Sequence, residues 1–323
     1  MRSRVAERII SVGGGKGGVG KSVVATNLAV AMADEGKEVV LVDADLGAAN
    51  LHTLLGLEKP GPTIQSFLEH EVESLEMARV ATRVPRLSLV RGAGAIPGAA
   101  NINHGQKMRL LRNIAALEAQ IIIVDVGAGA AYNQLDLFDM ADQKLVVMTP
   151  QLTSLQNAYG FVKGAVYRVL SAILRPYGFE ELLDSSKATA ETAQLQTLLK
   201  DAYACSPKLK AEVQEALSTF RVRLFGNQVI DPREGTVFRA VGKMMADFLN
   251  ISAPLLGFAR ATRGVHDSVN RRKPFLLDAK SEETATAMRE AAHVLLEEAV
   301  GGKRLNFEEA VAQMDQPAQP VAA

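Results

Sequence analysis

A single cysteine, Cys205, stands in a chain of 323 residues. One thiol excludes an internal disulfide framework, a CxxC redox pair and a Cys-rich metal site within one chain, and it fits a reducing compartment. Net charge is missing too. Basic and acidic residues number 36 each, which argues against coating nucleic acid with the whole surface and leaves room only for a local patch. No stretch reaches the ~20 uninterrupted apolar residues of a membrane span. No internal repeat stands out. The segment Met1–Arg8 is charged and the apolar run after it breaks at Gly13, unlike a secretory leader. The expectation is a cytoplasmic protein, at most peripheral to membrane or nucleoid. What remains is ordinary globular material, 48% apolar and 22% charged, enough for one large α/β domain or two small ones.

Short apolar runs alternate with longer helical patterns. Arg8–Val12, Glu38–Val42, Leu87–Val90, Gln120–Val124, Lys144–Met148 and Val222–Ile230 read as strands, mostly continuous in apolar character. Such strands are buried on both faces, as in a parallel sheet between helix layers. Helical stretches such as Gly20–Glu35 and Gly105–Leu117 lie between them. The alternation predicts an α/β fold with a doubly wound, mostly parallel sheet, and ligands at the carboxyl ends of its strands. From Thr153 to about Phe220 no strand is evident, only helical periodicity, which reads as one long helix and then a helical insertion over about 160–220. The expected organisation is one domain over 1–302 with a polar, disordered tail over 303–323.

Ile9–Ser22 reads IISVGGGKGGVGKS. A strand runs into glycines, then Gly15-(four residues)-Gly20-Lys21-Ser22, then a helix, which is the full phosphate-loop pattern in its required context. Glycines let the chain curl so that backbone N–H groups of Gly15, Lys16, Gly17, Gly18, Val19 and Gly20 point inward. The helix beginning at Gly20, through Lys21, Ser22 and Val23, adds its positive end. Lys21 supplies a point charge to β and γ phosphates, and the Ser22 hydroxyl is a ligand for Mg²⁺. Lys16 is the oddity, because an ordinary phosphate loop needs no second cation inside it.

The string Lys16-Gly-Gly-Val-Gly-Lys-Ser resembles the ParA/MinD family of deviant-Walker-A P-loop ATPases, nearest to its MinD- and FlhG-like members. The resemblance covers about residues 8–160 and 221–298. It implies a P-loop NTPase of the SIMIBI type with ATP and Mg²⁺ as cofactors. It also implies an ATP-bound homodimer in which Lys16 reaches the partner's phosphates as an arginine finger does. Val42-Asp43-Ala44-Asp45-Leu46-Gly47 places two carboxylates at a strand end. By resemblance Asp45 orients the attacking water and Asp43 joins the metal shell; a surface acidic turn is the alternative for the pair taken alone. Ile121-Ile-Ile-Val-Asp125 resembles a Walker B strand. There Asp125 would hold a water of the Mg²⁺ shell, and Gly127 or Gly129 would offer an N–H to the γ-phosphate. The segment Pro150-Gln-Leu-Thr-Ser154 resembles the family's helix-opening string. Asn227 stands where the family reads adenine, with a structural asparagine as the alternative.

The resemblance thins in three places. After Gly257 the family's Ile-Pro-x-Asp-like string is replaced by Phe258-Ala-Arg-Ala-Thr262. The stretch Thr153–Phe220 is longer than in typical MinD. The last segment, from Gly302, has one basic pair followed by Glu308 and Glu309, so direct membrane docking is not expected. Arg260, Arg263, Arg271, Arg272 and Lys273 form a local basic cluster that offers phosphate neutralisation on DNA, against the alternative of a solvated face. The leading expectation is an ATP-hydrolysing dimeric switch, stimulated by a protein partner, that controls placement or number of a cellular machine. A cofactor- or metallocluster-assembly ATPase and a non-hydrolysing nucleotide scaffold are the rivals. A cluster carrier would need more cysteine than Cys205.

Overall fold

The structure is a computed structural model and describes residues 6–58, 61–92, 102–178, 199–200, 203–204, 206–278 and 282–298. Eight strands form one sheet. They are β1 (Arg8–Gly13), β2 (Val39–Ala44), β3 (Arg79–Ala81), β4 (Leu87–Val90), β5 (Ile121–Val126), β6 (Gln143–Met148), β7 (Val222–Val229) and β8 (Leu255–Arg260), in the spatial order β3-β4-β2-β5-β1-β6-β7-β8. All neighbours run parallel except β3, which pairs antiparallel with β4 at the edge.

Continuous apolar runs become central strands because both faces are covered. Every residue of β1, β2, β5 and β6 is buried. One face carries α1 (Lys21–Asp34), α2 (Leu51–Leu54) and α10 (Glu282–Glu297), whose buried side chains join Ile10, Val12, Leu41 and Ile123 in one core. The other carries α3 (Ile64–Leu68), α4 (His104–Ala115), α5 (Tyr132–Asp139), α6 (Leu152–Leu174), α7 (Pro207–Thr219) and α8 (Gly235–Leu249), packed on Ile9, Val40, Ile122 and Val146. Residues 263–270 form α9 (Arg263–Asn270). The sheet reverses direction around β1, between β5 and β6, and that reversal opens a crevice at the strand ends.

Two strands escape the apolar reading. β3 is two half-buried residues and one exposed one at an edge, and β8 is partly exposed and interrupted by Gly257. The expected insertion boundary at 160 falls inside α6, a continuous helix whose Phe161, Val162 and Val166 are buried in the main core. Leu209 and Val213 of α7 join that same core. The rest of the expected insertion over 179–198, Cys205 and the tail over 303–323 lie outside the described residues.

Three helices are tied by one buried carboxylate. Asp136 of α5 receives two bonds from Arg168 of α6, at 2.8 and 3.0 Å, and pairs with Lys107 of α4 at 2.5 Å. The Asp136 side chain is 1% exposed, and the cations are 6% and 10% exposed. Removing the shared anion leaves two buried cations side by side without it, which costs more than losing a surface pair. Asp136→Ala should lower unfolding free energy by about 3–5 kcal/mol, read as a shift in the denaturant midpoint.

Candidate active site

β1 delivers the chain to the crevice, and residues 14–20 turn there before α1 begins. Gly20 has φ +89°, a left-handed value, and a Cβ on it would stand 2.2 Å from the Asn227 amide nitrogen. Only glycine meets both demands. Gly15 is fixed by approach: a Cβ there would lie 2.1 Å from the Asn157 carbonyl oxygen, so the loop packs against the first turns of α6. No side chain caps the first turn of α1 and no acid lies in it. Its N–H groups therefore remain available to an anion. A cradle that side chains would fill, closed by an uncapped helix, fits a nucleotide's phosphates.

The two loop lysines behave differently. Lys21 is 7% exposed, and its ammonium donates to the Lys16 carbonyl at 3.3 Å. Burial lowers its pKa, against the pull of Asp125 and Asp45. The Lys16 ammonium donates instead to the Thr153 hydroxyl at the start of α6, 3.1 Å away. The Thr-Ser string singled out in the sequence thus divides its work: Thr153 holds Lys16, while Ser154 accepts the Thr149 N–H at 2.9 Å and shapes the turn into α6.

Asp43 and Asp125 stand opposite each other on β2 and β5. Both are 1% exposed. Asp43 accepts the Leu51 N–H at 3.0 Å on one oxygen; its other oxygen and both oxygens of Asp125 accept no well-formed hydrogen bond. Burial pushes Asp43 up to about 7. Burial first, and then the charge of Asp43, push Asp125 up to about 8. The Ser22 hydroxyl and Lys21 lie near enough to oppose that rise without satisfying the acid. Paired buried carboxylates with unsatisfied oxygens beside a hydroxyl are a donor set for a hard cation, so Ser22, Asp43 and Asp125 fit Mg²⁺.

Asp45 lies past the strand end. Its carboxylate accepts the N–H groups of Gly47 and Ala48 at 3.3 and 3.1 Å. A Cβ on Gly127 would stand 3.0 Å from it, so the turns after β2 and β5 touch. On the far side, β7 meets the loop. Asn227 donates to the Val19 carbonyl at 2.8 Å and Gln228 to the Gly18 carbonyl at 3.1 Å. Sequence reasoning missed Gln228 and assigned Asn227 to a base; here its amide holds the loop. The phosphate-loop residues, Asp43, Asp45, Asp125 and Asn227 therefore converge on one crevice.

The basic cluster does not converge with them, and it is not a bare cationic surface. Arg260 pairs with Glu283 at 3.2 Å, Arg263 with Asp267 at 3.9 Å and Arg272 with Glu58 at 3.5 Å, while Arg271 pairs with Asp278. Two nearby carboxylates, Asp267 and Asp278, and two remote ones, Glu283 and Glu58, face what the sequence presents as a run of positive charge.

Residues 5–165 match the ParA family model, described as NUBPL iron-transfer P-loop NTPase. Over that stretch the chain is a ParA-family P-loop NTPase. Among curated ParA-type relatives, Antiactivator FleN of Pseudomonas aeruginosa is 33% identical over 165 residues, 50% of this chain and 58% of FleN. Septum site-determining protein MinD of Helicobacter pylori is 32% identical over 151 residues, 46% of this chain and 56% of that MinD. The match thus spans little more than half the length of these relatives. In structure, MinD of Pyrococcus horikoshii complexed with Mg-ADP superposes with a TM-score of 0.61 at 19% identity, covering 90% of this chain and 96% of that one. That likeness establishes the mostly parallel P-loop NTPase fold over nearly the whole chain.

The folded-state pKa values of Asp43 and Asp125 lie above that of an unfolded aspartate. Their contribution to stability is therefore present in full below the ordinary aspartate value of 3.8 and is lost as pH rises from there through about 7 and about 8. The stability of Asp125→Asn relative to wild type should therefore rise steadily from pH 5 to pH 9 in metal-free denaturant titrations.

Proposed function

We propose that the chain is an ATP-hydrolysing switch that dimerises with nucleotide bound and controls the placement or number of a cellular machine through a protein partner. The observation that carries this reading is the division between the two loop lysines. Lys21 already serves the cradle of its own chain, whereas Lys16 rests at the rim on Thr153 and is left to serve a facing subunit. Exposed apolar side chains at the same end of the sheet support a covered face: Tyr132 opening α5, Leu152 opening α6 and Ile230 after β7 are 57%, 70% and 73% exposed.

In this reading, loop amides and Lys21 hold the β and γ phosphates. Ser22, Asp43 and Asp125 hold Mg²⁺, which supplies charge neutralisation at the transferring phosphoryl group when bound. Asp45 orients the attacking water. Gly127 and Gly129 follow the γ-phosphate, and their movement is passed to α5. Lys16 of each protomer stabilises transition-state charge on its partner's nucleotide. Asn227 has one N–H on Val19 and keeps a second N–H and a carbonyl oxygen for adenine.

The names of the relatives support the physiological half of the proposal. A septum site-determining protein acts on position, and an antiactivator acts through another protein. Iron transfer, named for the matching family model, is disfavoured by the single cysteine of the whole sequence. DNA contact through Arg260, Arg263, Arg271, Arg272 and Lys273 is not part of this reading, since four of these five cations already face a carboxylate. No helix among the described residues is long and apolar enough to cross a membrane; a cytoplasmic location belongs to this proposal.

Size-exclusion chromatography with ATP at micromolar protein, alongside phosphate release, tests the reading. Asp45→Ala should form a lasting dimer and release little phosphate, and Lys16→Ala should stay monomeric. Monomers for wild type and both variants would sink it.

A further inference from the structure

Successive side chains of a strand point to opposite faces, yet Asn227 and Gln228 both reach the phosphate loop. The cause is a break in register. Gly226 stands opposite Phe258 and Val229 opposite Arg260, so two residues of β7 face the single Ala259 of β8. Such a bulge turns the strand and re-aims a side chain. Gln228 takes φ +56° there, a left-handed value that a glutamine rarely adopts. The ladder then resumes, with the Ala261 N–H on the Val229 carbonyl at 2.8 Å. Glycine would relieve the backbone at this position, but it carries no amide.

The consequence falls on the loop. Its N–H groups can point at a ligand only if its carbonyls point away, and an exposed glycine-rich turn has little else to hold them. The Gly18 carbonyl is held by Gln228 and the Val19 carbonyl by Asn227, at 3.1 and 2.8 Å. Both held residues flank the left-handed turn that ends at Gly20.

We propose that Gln228 is a positioning residue for the nucleotide reaction: its amide fixes the Gly18 carbonyl outward and so presets the phosphate-binding amides. The bulge at 227–228 brings this second amide onto the loop. The inference rests on the nucleotide-site reading above and adds a division of labour to it. Asn227 serves base and loop; Gln228 serves the loop alone.

A probe without a base separates the two. Mg-pyrophosphate and Mg-ADP affinities would be measured by calorimetry for wild type, Gln228→Ala, Gln228→Gly and Asn227→Ala. Both Gln228 variants should weaken the two ligands by the same factor, roughly fivefold, the worth of one hydrogen bond. Gln228→Gly should unfold at or above the wild-type temperature, which excludes a folding defect as the cause. Asn227→Ala should lose more for Mg-ADP than for Mg-pyrophosphate. Unchanged pyrophosphate binding in both Gln228 variants would overturn the proposal, as would a loss confined to Mg-ADP, which would put Gln228 on the nucleoside. Wild type that binds neither ligand would bring down the nucleotide-site reading and this inference together.

Discussion

A chain that binds phosphate through its own backbone must solve an orientation problem before it meets the ligand. Peptide dipoles cannot turn their N–H groups inward without turning carbonyls outward, and those carbonyls need partners. In this protein the partners come from three directions. Lys21 takes the Lys16 carbonyl, Gln228 takes Gly18 and Asn227 takes Val19. The loop is thus held by its outside, and the inside is left to the ligand. The glycine at position 20 follows from the same arrangement, since a side chain there would displace Asn227, while Gly15 is fixed by its close packing on the Asn157 backbone.

The acidic half of the site has the opposite problem. Asp43 and Asp125 are brought side by side by the parallel register of β2 and β5, deep enough that water cannot satisfy them. Such a pair is costly while empty and well matched to a divalent ion. Buried carboxylates with raised pKa values beside a cationic loop are the usual sign of a functional site. The two halves meet where the Ser22 hydroxyl and Lys21 lie beside Asp125.

How much of this could be read from residues alone depended on the kind of information involved. The central strands were legible because burial on both faces writes itself as unbroken apolar runs. The phosphate loop and the aspartates at strand ends were legible because their spacing is local. β3 and β8 were not, since an edge strand needs no such run and Gly257 interrupts the second. The paired charges of the basic cluster were hidden for another reason: Glu58 and Arg272 meet only through the fold. Gln228 was hidden twice. Its reach depends on a register shift between β7 and β8, and its partner lies 210 residues earlier.

That separation bears on how the protein comes into being. The family match ends at residue 165, before β7 has been made, so the recognisable half carries the loop and both buried aspartates without the strand that steadies it. Contacts this remote form late, because a long intervening chain must be ordered first. During synthesis the loop would emerge well before the strand that holds its outward carbonyls, so its final shape would wait on the pairing of β7.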